Sequence, residues 1–425
     1  MRVQALTAAA ALFSALSPGL AAPATAGAPA LAGAPVVPCP ATKPDPAVKR
    51  PPRPVPPALT DYQRTVGGDG LATAGLATPA GAPPPPALTA TSWVVADLGT
   101  GAVLGGCGPH EYATPASVQK LLLAATFVDK LDPNQVVQIN RADLDIEPGS
   151  SAVGLVEGGR YPVRTLWLGL LLNSGNDAAN VLARLGGGTA AAGVAAMNAE
   201  AQRLGALQTH AVTPSGLDGK GQFTSAYDLA LIARACFASA AFRTYATAER
   251  AQIPPQPAKR AGGFQIQNEN QLLTRYPGAL GGKTGFTDLA RHTFVGAAER
   301  NGRRLVVALL GAEARPLRGW QQAAALLDWG FGLPADASVG SLVAPGEVPP
   351  TPPPAAAGKL GAAASSPDPA ATASSLAGSS PAAAIGVAAA GVALLVVVLV
   401  SARWRRATIR ARRAAIDELR RSRSP

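Results

Sequence analysis

His292-Thr293-Phe294-Val295-Gly296-Ala297-Ala298, a polar turn at Asn301-Gly302, and Arg304-Leu305-Val306-Val307-Ala308-Leu309-Leu310 form the stretch from which the rest of the chain can be placed. Two apolar runs around an Asn-Gly turn read as a β-hairpin. An amphipathic helix from about Gly319 to Trp329 follows it. Far upstream, Ser92-Trp93-Val94-Val95-Ala96-Asp97, the turn Gly99-Thr100-Gly101 and Ala102-Val103-Leu104 read as a second hairpin. The residues between differ: Val118–Leu131, Val163–Leu172, Asn176–Leu185, Ala190–Leu204 and Ala226–Ala238 all carry apolar residues at helical spacing. Strands at both ends with helices between predict an α/β (α+β) fold, in which one antiparallel sheet assembled from distant segments is covered by a helical subdomain.

Outward from this segment, at 91–333, composition changes. The chain has 425 residues with 46 Gly and 40 Pro, so much of it is not packed core. Residues 27–90 read as a Pro/Ala-rich disordered arm and 334–381 as a Pro/Ala/Ser-rich tether, both short of large apolar side chains. Residues 1–26 pair Arg2 with an apolar run and small residues near Ala22 and Ala26, the pattern of an export signal. Ala382 to Val400 is 19 residues without a charge, about 28 Å as a helix. Trp404 and Arg403, Arg405 and Arg406 follow at once, which predicts one membrane-spanning helix over 382–402 and a cytoplasmic tail over 403–425. The folded segment is then expected on the outer, cell-wall side of the membrane. Net charge is +11, but the ends carry all of it, for residues 65–400 balance 22 basic against 22 acidic side chains. A nucleic-acid groove on the fold is therefore disfavoured. The three Cys and three His are scattered without ligand spacing, so no metal or other cofactor is expected.

Chemistry is suggested by three short motifs. Ser117-Val118-Gln119-Lys120 opens an apolar helix, and a three-residue spacing puts hydroxyl and amine on one face. A serine needs a base to become a nucleophile, and with no suitably placed histidine, Lys120 is the nearby candidate. It can serve only if burial or a second cation lowers its pKa. Ser174-Gly175-Asn176 lies between two helices, where a plain helix cap would look the same. Lys283-Thr284-Gly285-Phe286 follows Gly281-Gly282 just before the hairpin, where a substrate backbone could approach an edge strand closely. By composition all three motifs would occur together in roughly one such chain in a hundred, before order is required.

S-x-x-K, S-x-N and K-T-G in this order resemble the penicillin-recognising serine enzymes. Leu172-Asn173-Ser174-Gly175-Asn176-Asp177-Ala178-Ala179-Asn180, Thr213-Pro214-Ser215-Gly216-Leu217-Asp218 and Tyr276 to Gly285 narrow the resemblance to the low-molecular-mass D-alanyl-D-alanine carboxypeptidases of actinobacteria. The likeness covers about Ser92 to Leu333; the trailing β-rich domain of many relatives is not expected here. It implies a β-lactamase/transpeptidase-like fold, with Ser117 as nucleophile, Lys120 as its base and Ser174 as proton relay. It further implies that Asn176 contacts the substrate amide, that Lys283 and Thr284 bind the terminal carboxylate, and that Lys283 is the second cation depressing Lys120. Gly285 and Phe286 would line the substrate strand, with the Ser117 and Phe286 N–H groups as oxyanion hole. The implied partner is a peptidoglycan stem peptide ending in D-Ala-D-Ala, with β-lactams as inhibitors.

A class A β-lactamase would need an E-x-x-L-N glutamate for fast deacylation, and neither Glu200 nor Glu269 has that context, so penicillin should leave slowly. A D,D-endopeptidase or transpeptidase would use the same residues, and an inactive wall-associated scaffold would have lost Ser117 or Lys120, which are intact. Cys39, Cys107 and Cys236 allow one disulfide in an exported chain, with the pairing left open and Cys236 reading as a buried apolar residue of its helix.

Overall fold

The computed structural model describes residues 36–46, 48, 50 and 55–348. The expected signal over 1–26, most of the tether, the helix over 382–402 and the tail over 403–425 lie outside the described residues. Among the described residues no helix is long and apolar enough to cross a membrane.

The strands in chain order are β1 (Leu76–Ala77), β2 (Ser92–Asp97), β3 (Ala102–Cys107), β4 (Val136–Gln138), β5 (Arg160–Pro162), β6 (Arg250–Ile253), β7 (Phe264–Gln267), β8 (Ala279–Thr287), β9 (Arg291–Arg300), β10 (Arg303–Ala312) and β11 (Gly340–Ser341). The helices are α1 (Asp61–Thr65), α2 (Lys120–Phe127), α3 (Val163–Leu172), α4 (Asn176–Gly187), α5 (Ala190–Arg203), α6 (Ala226–Ala238), α7 (Ala240–Ala246), α8 (Gln271–Arg275) and α9 (Gly319–Gly332). Seven strands form one antiparallel sheet in the order β1-β3-β2-β10-β9-β8, with β11 also on β3. The pairing of β2 with β10 joins the two ends of the fold, as the hairpins predict. Asn301 and Gly302 both have positive φ, the conformation a two-residue hairpin turn of matching twist requires.

Alternate residues of β10 face opposite layers. Val306, Ala308 and Leu310 pack into the large core with α2 to α6, while Leu305, Val307 and Leu309 pack with Leu326 and Leu327 of α9. A strand buried on both faces can be apolar at every position, which is why this run carries no polar alternation. The mainly helical middle of the chain, with the small β4-β5 and β6-β7 sheets in it, covers one face, and β8 is an edge strand of the large sheet among the described residues.

Two expected boundaries move outward. The arm expected to be disordered over 27–90 is, from residue 55 onward, part of the fold: Leu71 and Leu88 are fully or almost fully buried, and β1 pairs with β3. Residues 36–46 are stitched alongside, with the Leu76 N–H donating to Val37, the Thr42 N–H to Leu88 and the Leu88 N–H to Pro40. A disulfide joins Cys39 to Cys107 at the end of β3, and Cys236 is free and buried in α6. Low apolar content misleads here because a few well-placed side chains and a covalent tie are enough to order a coil laid on a finished sheet. At the other end, the expected boundary at 333 gives way to β11 and buried Leu342, so residues 334–348 pack on the fold and are not tether.

Candidate active site

Ser117 lies in a tight 3₁₀ turn, Ala116–Gln119, and α2 begins only at Lys120, two residues later than the spacing predicts. The turn still puts the two side chains together: Lys120 Nζ is 2.9 Å from Ser117 Oγ. Lys120 also donates to Asn176 Oδ1 at 2.7 Å and to the Ser215 carbonyl at 2.8 Å. Those last two are obligate acceptors. A neutral amine has two N–H bonds and one lone pair, so it can satisfy both acceptors and still accept the Ser117 proton. Burial is complete, and it holds the Lys120 pKa well below its usual value, with the nearby Lys283 ammonium pushing the same way.

Each partner is fixed by its own segment. Asn176 is the first residue of α4 and its N–H donates to the Ser151 carbonyl. Next to it, the Asp177 carboxylate accepts the N–H groups of Val153, Gly154 and Leu155 at 2.9, 2.9 and 3.0 Å, tying the 150–155 loop to the start of α4. Ser174 is buried and wall-forming, with φ +58°. Ala116, before the Ser117 hydroxyl, has φ +50°, so two non-glycine residues in the left-handed region flank the cleft. Ser215 sits in the Thr213–Asp218 loop, which Gln222 holds by accepting the N–H groups of Val212 and Thr213 and donating to Leu217. Gly216 in that loop has φ +87°, and a Cβ there would run into the Ala116 carbonyl.

The K-T-G segment is itself strand, in the middle of edge strand β8. Lys283 is 1% exposed and donates to the Thr284 carbonyl at 2.8 Å, and burial lowers its pKa to about 8. Gly285 packs so tightly on the nucleophile turn that a Cβ would lie 2.8 Å from the Ser117 nitrogen. Phe286 is half exposed and stacks on His292 across the β8–β9 pair, under the Arg291 guanidinium. Ser117, Ser174, Asn176, Thr284, Gly285 and Phe286 line one cleft of about 340 Å³. Lys120 and Lys283 lie buried behind it, so every residue singled out in the sequence converges on one place.

Three contributors are not evident from the motifs. The Ser215 main-chain carbonyl leaves no trace in side-chain chemistry, though T-P-S-G marks its turn. Asp177 is visible only as the residue after S-x-N. Glu269, which belongs to none of the three motifs, lines the same cleft together with Gly216 and Leu217.

A serine hydroxyl beside a buried lysine, on a mixed α/β fold with a free edge strand, defines a serine-type peptidase in which lysine stands where histidine is more familiar. The model of the D-alanyl-D-alanine carboxypeptidase family of serine peptidases matches residues 79–314, and the chain belongs to that family. It is 48% identical over 269 residues to D-alanyl-D-alanine carboxypeptidase DacB2 of Mycobacterium tuberculosis, covering 62% of this chain and 90% of the relative. A crystal structure of a D-alanyl-D-alanine carboxypeptidase from Mycobacterium tuberculosis H37Rv matches with TM-score 0.59 and 47% identity, over 62% of this chain and 99% of that one. The Streptomyces K15 DD-transpeptidase matches with TM-score 0.56 and 28% identity, over 59% of this chain and 99% of that one.

Proposed function

We propose that the protein removes the terminal D-Ala from peptidoglycan stem peptides ending in D-Ala-D-Ala, through an acyl-enzyme on Ser117. The Ser117 proton passes to Lys120 Nζ as Oγ bonds to the penultimate carbonyl carbon. The oxyanion is received by the N–H groups of Ser117 and Phe286, which the close seating of Gly285 on the nucleophile turn brings together. As the C–N bond breaks, Lys120 returns the proton to the leaving amine by way of Ser174. Water then adds to the ester and frees Ser117. Lys283 and Thr284 hold the substrate carboxylate, Asn176 its amide, and Gly285 and Phe286 offer the strand edge along which the peptide lies. A penicillin would enter as a mimic of the dipeptide and acylate the same oxygen.

The observation that carries this reading is the hydrogen-bond set of Lys120, whose two fixed acceptors suit a neutral amine and leave its lone pair for Ser117. Free D-alanine released from diacetyl-Lys-D-Ala-D-Ala is the test, run on the full chain beside Ser117→Ala. Release by the wild type, with none from the variant and no penicillin labelling of it, is expected. A folded wild type that releases nothing would sink the reading.

We also place the domain on the cell-wall side of the membrane, anchored through 382–402 with 403–425 in the cytoplasm. The uncharged run followed by arginines supports the anchor, and the Cys39–Cys107 disulfide suits an oxidising compartment. Protease added to intact cells should remove the catalytic domain and spare a tag at the C-terminus; the converse would reverse the topology.

A further inference from the structure

Among the described residues lining the catalytic cleft there is one carboxylate, that of Glu269. It is exposed, and it also borders a second cavity of about 480 Å³ that shares Thr284 and Gly285 with the cleft. The backbone that carries it is clamped. The Glu269 N–H donates to Leu172 at the end of α3. Asn268 Nδ2 donates to the carbonyls of Ala246 and Ala248, and Asn268 Oδ1 accepts the Asn270 N–H. Asn270 Oδ1 in turn caps α8 through the Leu272 N–H. The Glu269 main chain is thus held in place between the end of α3 and the start of α8, with its exposed carboxylate at the wall of the cleft.

Two buried amines in one cleft cannot easily both be ammonium, and the reaction needs them in different states. Lys120 must be free to take a proton, while Lys283 must be a cation to meet a carboxylate. Lys283 is the less well supported of the two, with its own neighbour's carbonyl as hydrogen-bond partner and burial against it. Glu269 is the charged group that favours its ammonium form. On Lys120 the same carboxylate acts more weakly than Asp177 does.

We propose that Glu269 is a positioning residue whose carboxylate keeps the shared proton on Lys283, so that the substrate carboxylate meets a cation while Lys120 remains a base. This rests on the roles given above to Lys120 and Lys283. The other charged or titratable groups around the pair are Asp177 on α4, His292 on β9, and Arg315 and Arg318 at the rim of the adjoining cavity; Glu313 and Arg291 act on His292. Burial holds His292 below its ordinary value, so it is neutral where Lys283, lowered to about 8, loses its proton.

The test is the pH dependence of kcat/KM for D-alanine release by the full chain, in wild type, Glu269→Gln and Glu269→Asp. Removing a negative charge disfavours both ammonium forms, so both limbs should move to lower pH in the Gln variant. The alkaline limb, set by loss of the Lys283 proton, should move further, by about half a pH unit or more. Near its midpoint KM should rise several-fold while kcat changes little, and Glu269→Asp should restore most of the wild-type profile. Because the carboxylate is exposed, about 1 M salt should shift the wild-type alkaline limb in the same direction. Limbs that superimpose, with only the amplitude reduced, would overturn the proposal in favour of a packing role. So would unchanged limbs with an accumulating acyl-enzyme, which would put Glu269 in deacylation instead. A wild type that neither releases D-alanine nor takes up penicillin would refute the functional reading itself, and that outcome is distinct because it does not depend on the variants.

Discussion

Lys120 and Lys283 are both fully buried, both flank one cleft, and they are held in opposite ways. Lys120 starts a helix in the middle of the helical layer, with three polar partners drawn from three segments of the chain. Lys283 sits on the edge strand β8, where among the described residues its hydrogen-bond partner is the carbonyl of the next residue, with the Glu269 carboxylate in range. Burial lowers the basicity of each. On the proposed roles, what separates a base from an anion-binding cation is the set of neighbours: two fixed acceptors and a hydroxyl suit a neutral amine, whereas a main-chain carbonyl and a nearby acid suit an ammonium.

Swapping the side chains tests that contrast most directly. Lys120→Arg keeps N–H donors but puts a permanent cation in place of a neutral amine, one that cannot give up a proton at working pH. Both D-alanine release and penicillin acylation should fall by about 10³-fold or more, since the base and the nucleophile act as a unit. Stopped-flow acylation kinetics would show it, and a loss of less than tenfold would mean that some other group deprotonates Ser117. Lys283→Ala should be milder and should register mainly as binding. For the peptide, kcat/KM should drop by about 10 to 100-fold, mostly through KM, as expected for loss of a charge-assisted contact to the substrate. A substrate whose terminal carboxylate is amidated should lose much less, and equal losses for the acid and the amide would refute the carboxylate role.

Much of this contrast could be seen in the sequence because it is made of side chains at short spacings. The nucleophile–lysine pair is one turn apart, and the edge strand announces itself through Gly281, Gly282 and Gly285. The two hairpins and the long helices were legible for a similar reason: α3 and α6 begin and end where apolar periodicity begins and ends. What stayed hidden depends on distant contacts. The short strand pairs β4–β5 and β6–β7 have too few residues to show a period, and Ser215 acts through its main chain. Glu269 is defined by where the Asn268 and Asn270 side chains hold the backbone, not by any motif around it. The N-terminal coil departs furthest from expectation, since composition reports how much apolar surface a segment has but not whether the fold leaves slots for Leu71 and Leu88.

That coil offers the gentlest test of whether the two lysines are set locally. The disulfide ties Cys39 to Cys107, 68 residues apart, on the far edge of the sheet from β8. Cys39→Ser together with Cys107→Ser should lower stability by up to about 4 kcal/mol, chiefly by enlarging the unfolded ensemble, and a thermal melt would register the loss. Since β3, β2, β10 and β9 lie between this edge and β8, the cleft should keep its geometry. At a temperature where the variant is folded, kcat/KM should stay within about twofold and both pH limbs should coincide with those of the wild type. A shifted alkaline limb in this variant would mean that the state of Lys283 depends on the whole sheet, and the account of each lysine as the product of its immediate neighbours would have to be given up.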